Sequence, residues 1–303
     1  MVAEFYIIAE SFSQNLNFTK EEIEDKTRSL ASDFIEIRKY RETNKLFVHP
    51  NIYYIHFINN ITISDLLYND EIANKNLDRD VRNLLKKIII ESQNTDLTTD
   101  EVKEVLLPEH NENLCHGLIG FNLIEGINPE FQVVYNIKGW FEFRRHYLKV
   151  YPKNEIYFIE ECKKYFPNLF FHERNKATVH TIFHNCTQKI VYHLTALNDK
   201  FRESQLAGLN RSEVLKRFSI AAQLDETASL EGNPLQKQAL TFPFINSSKR
   251  MEYICCEPHL KLCHNDNYPG DNSYSTDRRI YFHEGKTNIQ DGKILIGHIG
   301  DHL

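Results

Sequence analysis

Between Leu240 and Leu303 the chain carries its densest run of strand-forming residues, and this stretch limits the possible folds more than any other. Alternating apolar and polar positions, rich in aromatic and β-branched side chains, mark half-buried strands. Residues 239–245, 250–256, 279–283 and 293–298 fit that pattern, with 260–263 as a short fifth segment. Pro243 has no amide hydrogen to give a ladder, which pushes its segment to an edge. The polar link 246–249 has hairpin length. Strands joined by short links pair antiparallel with their sequence neighbours. An antiparallel sheet of four or five strands is expected, with one face packed on helices. Residues 264–277, rich in Asn, Asp, Ser, Gly and Pro, read as a loop held over that sheet.

Upstream the pattern alternates. Residues 4–9 read as an opening strand. Thr19 and Glu22 have the spacing of a capping box, in which hydroxyl and carboxylate satisfy free amides at a helix start. Ile23, Thr27, Leu30, Phe34 and Ile37 then recur at steps of three and four, one face of a helix. Residues 45–48 and 52–58 read as strands about the turn at Pro50-Asn51. Leu77, Val81, Leu84, Leu85 and Ile88 form a second helical stripe, and Thr98 to Glu101 opens a short helix that stops before Pro108. The polar break at 109–113 suggests a boundary, giving a mixed α/β domain at 1–112 and a second domain at 113–303. Beyond it, 116–124 and 131–135 look extended, whereas 155–166, 189–202 and 211–224 are helical. Asn210 or Ser212 caps the last of these. The fold class expected is α+β, an N-terminal mixed α/β unit followed by helices packed on a C-terminal antiparallel sheet.

With 303 residues, 41% of them hydrophobic, the chain can bury a sizeable core. Its six cysteines show no framework spacing, so reduced thiols and a cytoplasmic setting are expected. The start lacks a basic leader, and no apolar run reaches membrane-spanning length. The formal charge of −6 is unevenly spread: residues 131–220 hold 15 Lys/Arg against 8 Asp/Glu. A basic middle between acidic ends can face phosphate, or can be a set of solvated helix faces. Within it Trp140, Phe141, Phe143, Arg144, Arg145, Tyr147 and Lys149 interleave aromatic and basic side chains. Such a string grips single-stranded nucleic acid by stacking and phosphate contact, with Arg144, Arg145 and Lys149 as the contacts. An element burying its aromatic side in a core produces the same string.

Nucleophilic triads and phosphate-cradling glycine loops are absent, and Gly117, Gly120 and Gly126 make no dinucleotide fingerprint. The order of helices then strands, the last two bearing Arg278, Arg279, Tyr281, His283 and His298, resembles RelE/ParE-type ribonuclease toxins over the last third of the chain. The resemblance implies RNA cleavage by basic and aromatic residues on a sheet face, here Lys261, Arg279, Tyr281, His283 and His298. Cleavage by the 2′-hydroxyl needs a base, a cation for the phosphorane charge and an acid for the leaving oxygen. Alternation puts Arg279, Tyr281 and His283 on one strand face.

A second pattern, Arg174-Asn-Lys-Ala-Thr-Val-His180, resembles the motif of HEPN-type RNases and implies acid–base work by Arg174 and His180. A third, Cys256, His259 and Cys263 with His264, has plausible metal-ligand spacing, which His298 and His302 could complete. Asp225, Glu226 and Glu231, with Glu257 and Lys261, offer carboxylates for a divalent metal, the one cofactor left open. The tail also resembles that of bacterial defence-associated proteins. These readings converge on a cytoplasmic prokaryotic toxin or phage-defence effector that cuts nucleic acid, RNA foremost. The alternative is a non-enzymatic subunit whose partners are a protein, such as an antitoxin or defence-complex subunit, and nucleic acid.

Overall fold

The opening strand of the sequence becomes the middle of a sheet. The structure, a computed structural model, describes residues 1–13, 18–123, 130–262, 266 and 278–303. Its first unit is Met1–Tyr147 and its second Leu148–Leu303.

In the first unit β1 (Val2–Ile7) leads to α1 (Lys20–Arg38) and β2 (Asn44–Val48). The capping box is present: Glu22 N donates to Thr19 Oγ1 at 3.2 Å and Thr19 N to the Glu22 carboxylate at 2.7 Å. Ile23, Thr27, Leu30, Phe34 and Ile37 are the buried stripe of α1. Residues 52–58 do not form one strand. Pro50 opens a 3₁₀ turn, Pro50–Tyr54, where its fixed φ suits a helical start, and only β3 (His56–Ile58) is extended, paired with β4 (Ile61–Thr62). Next come α2 (Ile63–Tyr68), α3 (Asp70–Asn76), α4 (Arg79–Ile90), β5 (Gln93–Asn94) and α5 (Thr99–Glu101), which runs into a π-helical turn, Val102–Leu106. Then follow β6 (Leu114–Ile119), β7 (Val133–Val134) and α6 (Ile137–Val150).

The sheet order is β5-β2-β1-β6-β7 and every pairing is parallel. The chain thus starts centrally and winds outward to each side in turn, the doubly wound arrangement. Both faces are covered, as parallel sheets require. Phe143 of α6 packs on Phe5 with ring centres 4.8 Å apart, and Val102 and Leu107 pack with Tyr6, Ile8 and Leu118 on the other side. A boundary at 112 therefore fails. β6 pairs along the whole of β1, and the unit runs on to Tyr147 inside α6.

The second unit continues with α7 (Glu155–Tyr165), β8 (Leu169–Phe171), α8 (Asn175–Thr178), α9 (Phe183–Ser204), α10 (Arg211–Ala222) and α11 (Pro234–Ala239). The strands are β9 (Thr241–Ile245), β10 (Met251–Cys255), β11 (His259–Lys261), β12 (Arg278–His283) and β13 (Ile294–Asp301). The α+β class holds, but a single antiparallel sheet does not form. β11, β12 and β13 are antiparallel, and β8 adds to β13 in parallel, giving the order β11-β12-β13-β8. β9 and β10 make a separate hairpin. The reason is two-sided burial. Ile280, Phe282, Ile294 and Ile296 face the helices with Ile190, Leu194, Leu197 and Phe201. Tyr281 and Leu295 face the other way, where the hairpin covers them with Phe242, Phe244, Ile254 and Cys256. Gly297 is skipped in the ladder, since Tyr281 pairs with His298 and Phe282 with Ile296. A Cβ at Gly297 would lie 2.5 Å from the Phe242 ring and 2.7 Å from Cys256 Sγ, so this bulge requires glycine. Of the 264–277 loop only Asp266 lies within the described residues.

Candidate active site

The ladder register sets His259, Tyr281 and His298 abreast on β11, β12 and β13. Residues directly opposite on paired strands share a face. The His259 and His298 rings lie 5.2 Å and 6.0 Å from the Tyr281 ring, and His302 lies 6.2 Å from it. Arg279 shares the face, two residues earlier, opposite Lys261 and Gly300. A Cβ at Gly300 would sit 2.8 Å from the Thr178 carbonyl oxygen and 2.9 Å from His298 Nε2. Position 300 thus has no room for a side chain between α8 and the imidazole.

The cluster is enclosed: Tyr281 is 0% exposed, His298 3%, His259 5% and Arg279 7%. Its open rim is His302 with Glu231, whose side chains are 27% and 11% exposed and lie 3.7 Å apart. His298 Nε2 is 2.8 Å from the Asp301 carbonyl oxygen. A carbonyl can only accept, so Nε2 carries the hydrogen in the neutral ring and Nδ1 holds the lone pair. That Nδ1 is buried without a hydrogen-bond partner. Burial pushes His298 down to about 4, the nearby Arg174 charge adding to the shift and the Asp301 carbonyl opposing it. His259 is likewise pushed down to about 4, by burial and then by Arg279, and its Nε2 lies 3.0 Å from Ser229 Oγ. Burial pushes the Tyr281 hydroxyl up to about 12 against the pull of Arg279. At neutral pH this is a phenol, two neutral imidazoles and a guanidinium.

The other expected residues go elsewhere. Lys261 turns to Glu226, Nζ to Oε2 2.5 Å. His283 Nδ1 accepts from Gly285 N at 3.1 Å, leaving Nε2–H toward Glu284 at 4.0 Å. Its lone pair is therefore used, and its pKa is lowered by burial and then by Arg211, against the pull of Glu284. His283 lines a cavity of about 450 Å³ with Arg211, Glu284 and Leu206. Arg211 holds Glu284 through two bonds, 2.6 and 3.0 Å. The HEPN-like pair separates: Arg174 lies over the Phe242 ring at 4.6 Å, while His180 bonds Glu155 at 2.7 Å.

Arg144 and Arg145 are only 1% and 4% exposed, which removes them as nucleic-acid contacts. Arg144 donates to the carbonyls of Met1 at 3.3 Å and Thr43 at 2.7 Å and to Asn44, pinning α6 to the strand starts. Arg145 lies over the Phe141 ring at 5.6 Å, and Lys149 is half-buried farther along α6. Among the described residues no group of His, Cys, Asp and Glu is arranged to hold a metal. Cys256 is in the core with its thiol pushed up by burial, and Cys263 and His264 lie outside the described residues.

His259 and His302 enter the cluster although the sequence had offered them only as metal ligands. The place of His259 is set by register, which no single segment reveals, and His302 follows the end of β13. Comparison with protein-family models, curated proteins and solved structures gave no match. No helix among the described residues is long and apolar enough to cross a membrane.

Proposed function

We propose that the second unit cleaves RNA without metal, by acid–base chemistry at the Tyr281 cluster. The observation that supports this most is the orientation of His298. Its Nε2–H is committed to Asp301, and its buried Nδ1 is left as a bare base near the Tyr281 ring. In this reading His298 Nδ1 takes the proton of a 2′-hydroxyl, whose oxygen attacks the adjacent phosphorus, with Arg279 on the same strand face. Arg279 offsets the charge that builds on the phosphorane oxygens. The 5′-oxygen leaves with a proton from His302 at the open rim, and a 2′,3′-cyclic phosphate and a 5′-hydroxyl result. Tyr281, too weak an acid to lose its proton near neutrality, orients the phosphate as a donor. Such chemistry suits a cytoplasmic toxin or phage-defence effector, the wider role we assign to the chain.

The test is incubation of purified protein with labelled single-stranded RNA in the presence of a chelator. Cyclic-phosphate ends that disappear in His298→Gln support the reading. Intact RNA with well-folded protein, or cleavage that His298→Gln leaves untouched, overturns it.

A further inference from the structure

The cavity at His283 is one lobe of a larger groove. A second cavity of about 360 Å³ shares Gly285 with it and is lined by Arg202, Lys286, Thr287, Asp291 and Lys293. The lobes differ in chemistry. The first presents Leu206, Leu209 and Val214 beside Gln205 and His283, and its one carboxylate, Glu284, is neutralised by Arg211. The second presents three cations against Asp291, and of these Lys286 is paired with Glu252. Lys293 is half-buried as a residue and has no ion-pair partner among the described residues.

The saddle between the lobes is built with care. Gly285 has φ +104°, and a Cβ there would lie 2.8 Å from the Lys293 carbonyl oxygen and 2.9 Å from Arg202 Nη2. Any side chain would force apart the turn that Arg202 holds through the Gly292 carbonyl. That turn carries Gln290, Asp291 and Gly292 in succession at φ 48°, 54° and 78°, a conformation L-residues resist. Strain of this kind persists where surrounding contacts over-determine it, and it clusters at ligand sites.

We infer that this two-lobed groove binds one nucleotide of a single-stranded RNA, its base in the apolar lobe and its phosphate against Lys293 and Arg202. Apolar walls with polar edges suit a base, and an ammonium without an ion-pair partner in the same lobe as a fixed guanidinium suits a phosphate. His283 stands two residues beyond Tyr281 on β12, a distance of about 7 Å at strand rise. The groove therefore adjoins the strand that carries Tyr281 and Arg279. This assignment rests on RNA being the substrate there, and the experiment separates the two ideas.

The probe is a fluorescent 2′-O-methyl RNA 12-mer, which binds but lacks the attacking hydroxyl. Its anisotropy is titrated against wild type, Lys293→Glu, Leu206→Glu and the control Arg250→Glu, whose side chain lines neither lobe, at several salt concentrations. Thermal melts check that each variant is folded. Lys293→Glu is expected to weaken binding about tenfold and to reduce the salt slope by about one, and Leu206→Glu to weaken it as well. Arg250→Glu should match wild type. Equal affinity in Lys293→Glu, equal loss in Arg250→Glu, or no binding by wild type overturns the groove. Lys293-dependent binding without cleavage of ordinary RNA keeps the groove and sinks the cleavage reading. Cleavage with Lys293-independent binding does the reverse.

Discussion

His298 gives its Nε2 hydrogen to the Asp301 carbonyl at 2.8 Å, so the next turn of the same strand end decides which nitrogen of the ring is basic. Gln in its place can keep the bond to Asp301 through its amide but has no basic nitrogen. We expect His298→Gln to lower kcat for RNA cleavage by roughly 10²- to 10⁴-fold with little change in KM. Tyr281→Phe, which loses only an orienting donor, should cost roughly tenfold. With the base pushed down to about 4, the rate should stay level from pH 8 to pH 6 on the base side. A limb near pH 6.5 in the rate profile would place the base on another histidine.

The same burial has a cost in stability at low pH. His298 and His259 are pushed down to about 4, and buried His193 to about 3. The unfolded chain takes up these protons near pH 6.5 and the folded chain does not, so stability is full above that pH and falls as the pH drops toward 4. Each of His298 and His259 should cost about 2 kcal/mol by pH 5. Urea midpoints measured from pH 8 to pH 5 should fall steadily, and His298→Gln should flatten the curve by one histidine's share. A midpoint independent of pH over that range would mean that these rings take up protons in the folded state.

Much of the fold could be read from local pattern, because local chemistry set it. The Thr19 and Glu22 cap, the α1 stripe and the Asn210 cap each depend on residues a few positions apart. Most of the errors concern partners distant in sequence. β8 joins β13 across more than a hundred residues, and β6 joins β1 across a similar span, so neither pairing shows in its own segment. Residues 52–58 look like a strand by composition, but Pro50 decides for a turn. In the site, Arg279, Tyr281 and His298 were legible as strand-face polar residues. His259 was not, because it reaches the row only through its register with Tyr281. Arg144 misled for the opposite reason: a basic side chain in an aromatic string spends its donors on backbone carbonyls inside the fold.

Arg144 accordingly tests structure rather than binding. Replacing it by Met keeps the aliphatic stem and removes the charged donor from the Met1 and Thr43 carbonyls and from Asn44. Buried acceptors stripped of a charged partner should cost about 3 kcal/mol. Chemical denaturation should show that loss, while RNA affinity per folded molecule stays at the wild-type value. A fall in affinity at unchanged stability would return Arg144 to the list of contacts.

Gly285 and Gly208 form a matched pair for the strain at the groove. Both have positive φ, +104° and +87°, so alanine at either meets the same backbone penalty of about 1 kcal/mol. They differ in surroundings. A Cβ at Gly208 meets nothing within 4 Å, whereas at Gly285 it runs into the Gly292 and Lys293 carbonyls and Arg202. Gly208→Ala should therefore cost about 1 kcal/mol, and Gly285→Ala about 2 kcal/mol more because backbone must move. Equal losses in urea denaturation would show that the 290–292 turn yields freely and is not held by Arg202. A larger loss at Gly285, with weaker binding of the 2′-O-methyl RNA, would tie the close approach of these backbones to the shape of the groove.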